Sequence, residues 1–176
     1  MLAKPNLFLI GPMGSGKSAV GKQLSRLLRV PFYDSDTEIE RRTGVDIPYI
    51  FEKEGEPGFR QRESETLGVL TAKERIVLAT GGGAVLLPEN RRMLAERGQV
   101  VYLKTSVAQQ AERVRQGRDR PLLSNVDPAI KLEALMELRG PLYVEIADIT
   151  VVTDNRKVRT VAEDILRELD AAVPGR

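Results

Sequence analysis

The 176-residue chain has no cysteine, no histidine and no tryptophan. Without cysteine there is no disulfide framework, no thiol nucleophile and no zinc–thiolate site. Without histidine the usual triad base, the commonest metal ligand and the usual general acid–base are missing too. Catalysis must come from carboxylates, lysine, arginine, hydroxyls, backbone amides and a bound cofactor or ion. No apolar run approaches the roughly 18 residues of a membrane span. Met1-Leu2-Ala3-Lys4-Pro5 leads straight into a short apolar run, with no charged leader and no long hydrophobic stretch. Export and membrane insertion are not expected; a cytoplasmic protein is. An excess of one charge is also lacking, since 27 Lys+Arg against 25 Asp+Glu leave +2. The pI of about 9.0 reflects only that small excess, because almost nothing titrates between the carboxylates and the lysines. Four Phe and four Tyr give no basic–aromatic platform for nucleic acid, and a monomer without nucleic-acid or membrane partners is expected.

What remains is an ordinary globular composition, 41% hydrophobic and 30% charged, in a length that fits one domain over residues 1–176. Short apolar runs alternate with helical patterns throughout. Strands are predicted at 6–10, 30–33, 75–79, 99–103 and 148–153. Helices are predicted at 15–28, 36–43, about 57–73, 89–97, 106–117, 128–146 and 158–172. Strands alternating with helices, several too apolar to have a wet face, predict an α/β fold with a five-stranded parallel sheet covered on both sides. That makes three layers, α/β/α.

The first strand runs into Gly11-Pro12-Met13-Gly14-Ser15-Gly16-Lys17-Ser18 and then an amphipathic helix. This is the P-loop pattern in its required context. Its glycines let successive N–H groups converge on phosphate oxygens at a positive helix end. Lys17 is expected to reach the β- and γ-phosphates, and the Ser18 hydroxyl to ligate magnesium. The usual magnesium-side acid would close another apolar strand, but 75–79 ends in Thr80-Gly81-Gly82-Gly83. Acids instead follow the second strand, as Asp34-Ser35-Asp36. In open α/β sheets ligands gather beyond the carboxyl ends of strands, which brings Asp34, Asp36 and the triple glycine near the phosphates. Helix capping by Ser35 or Asp36 is the competing explanation of the acids, and a loose turn that of the glycines. The stretch 117–126, which includes Arg118 and Arg120, matches neither period and reads as a surface loop or a lid. For the arginine cluster Arg113, Arg115, Arg118 and Arg120 a solvated helix face is the plain reading.

These motifs, together with Phe59-Arg60-Gln61-Arg62-Glu63, Arg120-Pro121-Leu122-Leu123 and Arg139-Gly140-Pro141-Leu142-Tyr143-Val144-Glu145, follow one another in an order that resembles the shikimate kinases over essentially the whole chain. The resemblance implies a nucleoside-monophosphate-kinase-like P-loop fold, a helical substrate-binding region near 34–61 and a lid near 112–125. It implies an ATP-dependent phosphotransferase that moves the γ-phosphoryl group of ATP to the 3-hydroxyl of shikimate, giving shikimate 3-phosphate and ADP on the way to chorismate and the aromatic amino acids. It assigns the substrate carboxylate to Arg60 and Arg139, backbone donation to Gly82 and Gly83, and the reacting hydroxyl to Asp36. Mg2+ falls to Ser18 and, through a water, Asp34. ATP falls to Gly14, Ser15, Gly16, Lys17, Ser18 and Ala19, with Arg120 on the transferring group. Lys17, Asp36 and Arg120 would be catalytic. The adenine segment varies within the family. Arg156, in Thr153-Asp154-Asn155-Arg156-Lys157, either contacts the base or belongs to a plain turn. A gluconate-kinase-like enzyme and an inactive nucleotide-binding regulator are the alternatives; Arg60, the triple glycine and Arg139 speak against the first.

Overall fold

The computed structural model of the chain describes residues 4–116 and 127–172. Leu7-Phe8-Leu9-Ile10 forms β1 (Leu7–Ile10), and all four side chains are fully buried. An extended chain sends alternate side chains to opposite faces, so a strand apolar at every position needs cover on both. Leu7 and Leu9 pack with Val20 and Leu24 of α1 (Lys17–Leu28) and with Val161, Ile165 and Leu169 of α7 (Val158–Ala171). Phe8 and Ile10 pack with Leu67 and Leu70 of α3 (Ile47–Thr71), Leu94 of α4 (Pro88–Arg97) and Tyr143 of α6 (Pro128–Ile146). Each fully buried Leu, Ile or Phe contributes roughly 1.5–3 kcal/mol of transfer free energy. The three layers follow from this two-sided demand.

The other strands are β2 (Phe32–Asp34), β3 (Val77–Ala79), β4 (Gln99–Lys104) and β5 (Ile149–Val152). All pairings are parallel, in the order β2-β3-β1-β4-β5. The chain leaves β1 toward one edge of the sheet and returns to its other side at β4. This reversal opens a crevice at the carboxyl ends of the strands. The loops after β1, β2 and β3 line it, and Asp34 stands in register with Ala79, just before the triple glycine.

The structure departs from the periodicity in three places. β2 ends on Asp34 and so carries the first acid within the strand. α1 begins at Lys17, since Gly16 holds φ 87°, outside helical space. The predicted helix at 57–73 is the second half of α3, whose first half starts at Ile47 behind an Asp46 cap that accepts from the Tyr49 N–H at 2.9 Å. Gly55, at φ 69° and ψ −177°, breaks the helix between the halves. Around Ile39, Ile50 and Phe59 a satellite core ties α2 (Ser35–Thr43) to both halves. α5 (Val107–Arg115) completes the helices among the described residues, and none is long and apolar enough to cross a membrane.

Candidate active site

The loop after β1 turns on Gly14 and Gly16, at φ 77° and 87°, a left-handed conformation that costs glycine nothing. No side chain caps α1, so the N–H groups of its first turn are left to an anion, in a positive helix-end field. Lys17 is nearly buried, and its ammonium lies back on the loop, donating to the carbonyls of Gly11 at 2.7 Å and Pro12 at 2.8 Å. Ser18 and Ala19 face solvent on the first turn. From α5, Arg113 donates to the Gly14 carbonyl at 2.8 Å and to the Thr153 carbonyl at 3.4 Å. It thus ties the P-loop to the end of β5. Arg113 belonged to the cluster that sequence alone reads as a solvated helix face; the contact with Gly14 lies 99 residues away in the chain.

Asp34 does two things. Its Oδ1 accepts from the N–H groups of Asp36 at 3.0 Å and Thr37 at 3.3 Å, so it is Asp34, rather than Ser35 or Asp36, that caps α2. Its Oδ2 accepts from the Ser18 hydroxyl at 2.5 Å. A hydroxyl and a carboxylate oxygen placed side by side at an accessible edge are the hard donors that Mg2+ takes, alongside waters. These two residues fit that ion. Ser35 is fully buried, and its hydroxyl accepts from the Gly81 N–H at 3.0 Å, which joins the acid loop to the glycine turn.

Each glycine of that turn lies against a charged side chain. A Cβ on Gly81 would stand 2.9 Å from an Asp36 oxygen and 2.8 Å from Glu63 Oε2. On Gly82 it would be 3.4 Å from the Arg139 guanidinium, and on Gly83 only 2.5 Å from that of Arg60. The glycines are therefore not a loose turn. They are the space in which two carboxylates and two guanidiniums come together.

The two arginines are held differently. Arg60 donates to Glu63 at 2.9 Å and to Glu56 at 3.2 Å. Arg139 is buried, its Nε has no acceptor, and no carboxylate pairs with it among the described residues. Burial pulls the Arg139 pKa below the ordinary arginine value, against the opposing influence of the Tyr143 phenol beside it. Burial likewise pushes the Glu63 carboxyl up, with Arg60 opposing, and Glu63 Oε2 has no partner. A buried guanidinium without a counter-ion is costly unless an anion arrives.

The P-loop, Asp34, Asp36, Arg60, Gly82, Gly83 and Arg139 thus converge as expected. Arg156 does not join them: its guanidinium is committed to Asp164 of α7 and, at 3.0 Å, to the Val152 carbonyl. Arg120 and Arg118, with most of the expected lid, lie outside the described residues. Arg113, Ser35, Glu63 and Tyr143 were given no place in the site on sequence grounds. The signals present were the motif positions of Glu63 and Tyr143 and the acidic-loop position of Ser35.

The shikimate kinase family model matches residues 13–170. A shikimate kinase of Thioalkalivibrio sulfidiphilus is 56% identical over 167 residues, 95% of this chain and 88% of that protein. The solved structure of shikimate kinase from Acinetobacter baumannii in complex with shikimate matches at TM-score 0.95 and 47% identity, over 98% of this chain and 97% of that one. A gluconokinase from Sinorhizobium meliloti matches at TM-score 0.59 and 18% identity, over 97% and 94%. That is a likeness of fold alone.

Proposed function

The chain belongs to the shikimate kinase family, and from that premise we propose how its own residues divide the transfer of the ATP γ-phosphoryl group to the 3-hydroxyl of shikimate. The single observation that carries the division is Arg139, a buried guanidinium that has no carboxylate partner among the described residues and faces Gly82 beside Arg60. Arg139 and Arg60 take the shikimate carboxylate through planar paired donors. The Gly82 and Gly83 N–H groups donate to the substrate. Asp36, packed on Gly81 across the turn from the arginines, accepts from the reacting hydroxyl and turns its oxygen toward the nucleotide.

On the nucleotide side the P-loop N–H groups of Gly14, Ser15, Gly16, Lys17, Ser18 and Ala19 surround the phosphates. Lys17 leaves the carbonyls of Gly11 and Pro12 for the β- and γ-oxygens. Mg2+, when bound, neutralises charge on the same oxygens; Ser18 and, through water, Asp34 would hold it. Arg120 is assigned by resemblance to the transferring group. Alignment and fixed positive charge are most of what a loose phosphoryl-transfer transition state requires. The residues near 34–61 serve as the acceptor-binding region, and those near 112–125 as the lid that excludes water. The loops after β4 and β5, joined by Thr105–Thr153 at 2.6 Å and Ser106–Asp154 at 3.0 Å, form the floor for the base, with Arg156 bracing the second of them. The reading places this work in the cytoplasm, on a monomer.

The test is ADP release from MgATP with shikimate, with gluconate and with no acceptor. Shikimate-dependent ADP with formation of a phosphorylated acceptor is expected. ATP binding with no response to shikimate would overturn the acceptor assignment while leaving the P-loop reading intact.

A further inference from the structure

We infer that Tyr143 is a positioning residue: its hydroxyl fixes the Gly82–Gly83 peptide between Arg60 and Arg139 and thereby sets the affinity for the acceptor. The inference rests on the acceptor site proposed above. The difficulty it addresses comes from the glycines themselves. They are needed at 81 and 83 because a Cβ there would stand only 2.8 Å from Glu63 and 2.5 Å from Arg60, and at 82 it would crowd the Met13 N–H at 3.3 Å. The same residues leave the backbone with the fewest restraints of any sequence. Something outside the turn must choose one orientation of its peptides.

The ends of the turn are fixed from within the protein. The Gly81 N–H is taken by Ser35 at 3.0 Å, and the Ala84 N–H returns to the Gly81 carbonyl at 3.0 Å. The middle is fixed by Tyr143, which donates to the Gly82 carbonyl at 2.5 Å. A trans peptide directs its carbonyl and the next N–H to opposite sides. Pinning the Gly82 oxygen on Tyr143 therefore turns the Gly83 N–H away from α6. The peptide so oriented has Arg139 against Gly82 and Arg60 against Gly83. One hydrogen bond orders a backbone donor relative to both guanidiniums.

Tyr143 is suited to this task. It sits one helical turn after Arg139, is fully buried, and stacks on Tyr102 of β4 at 5.0 Å and 27°, so the ring cannot swing. Burial pushes the phenol pKa well up, against the lowering influence of Arg139, so the oxygen keeps its proton and stays a donor. The same phenol lies close enough to Arg139 for each group to influence the other's titration. The phenol that holds the Gly82 carbonyl thus also stands beside Arg139, between two parts of the acceptor site.

Tyr143→Phe removes the hydroxyl and keeps the stacked ring. The expected result is a rise of about tenfold in KM for shikimate, with KM for ATP within about twofold and kcat falling by less than KM rises. Calorimetric shikimate binding without nucleotide should weaken by the same factor. Tyr102→Phe, which removes the other phenol of the same stack, should leave both KM values in place. A folded Tyr143→Phe protein with unchanged shikimate KM overturns the inference, as does an equal loss for ATP and shikimate, which would mark a merely structural role. Undiminished shikimate use by Arg139→Ala would instead overturn the acceptor-site reading on which it rests.

Discussion

Adding a single methyl group at Gly83 tests whether the triple glycine is spacing for the arginines. A Cβ there would stand 2.5 Å from both terminal nitrogens of Arg60 and 2.6 Å from Cζ, where 3.4 Å is the lower edge of ordinary contact. The guanidinium must retreat by about 1 Å. It is the far end of a flexible chain, but it is buried and held by Glu63 at 2.9 Å and Glu56 at 3.2 Å, so retreat breaks at least one charged hydrogen bond. Such a bond is worth about 1.5–3 kcal/mol, and a displacement near 1 Å in a positioned site costs about 10²-fold. Gly83→Ala should therefore lower kcat/KM for shikimate about 10²-fold, leave KM for ATP within about twofold, and lower Tm by about 4–8 °C. Gly44→Ala is the matched control. Gly44 also lies in a turn, with nothing within 4 Å of a new Cβ but with φ 73°, so that variant should lose about 1–2 kcal/mol of stability and no shikimate affinity. Steady-state kinetics on both acceptor and nucleotide, with thermal melts, decide the matter. A Gly83→Ala enzyme within about threefold of wild type for shikimate would refute the spacing argument.

The other expectations are simpler. Arg139→Ala should lower kcat/KM for shikimate by about 10²–10³-fold while ATP binding holds, and should do more harm than Arg60→Ala; equal losses would count against the division drawn here. Lys17→Ala should lower transfer by at least about 10²-fold with the fold retained by circular dichroism, and near-normal turnover would remove Lys17 from the phosphate site. The hydrogen bond from Arg156 holds the Asp164 carboxyl below its ordinary value of 3.8. A depressed pKa adds stability above 3.8 that is lost as pH falls through the lowered value, so Asp164→Asn should flatten the acid limb of Tm against pH, and an unchanged limb would show that the pair is idle.

Much of this was legible in the residues. The β1 run and P-loop could be read because backbone geometry there demands glycine and an apolar strand before it. Five strands and their parallel arrangement followed from runs too apolar to alternate. The first half of α3 was hidden because Pro48, Gly55 and Pro57 punctuate it and its stability comes from the satellite core around Ile50 and Phe59 rather than from its own period. Arg113 was hidden for another reason: an arginine in a charged cluster carries no mark of which neighbour it will meet across 99 residues of chain. Glu63 and Tyr143 lay inside recognised motifs, yet their buried polar contacts are tertiary facts that periodicity does not record.

The way each cation is held in the free protein explains why Arg60 and Arg139 should not be equivalent in the acceptor role proposed for them. Lys17 rests on the carbonyls of Gly11 and Pro12, and Arg113 on those of Gly14 and Thr153. Arg139 lies beside a phenol. Neutral acceptors give up a cation at the cost of a hydrogen bond, which an incoming phosphate or carboxylate more than replaces. Arg60 is already paired with two carboxylates, Glu63 and Glu56, one fully buried and one half-exposed. An incoming carboxylate therefore meets two acids and one cation at Arg60, and at Arg139 a cation with no carboxylate partner among the described residues. Attraction falls mainly to Arg139, while Arg60, fixed by Glu63 against Gly83, supplies direction. A chain with no histidine can run this chemistry because the charges it needs are permanent and are held at rest by groups that release them without a proton.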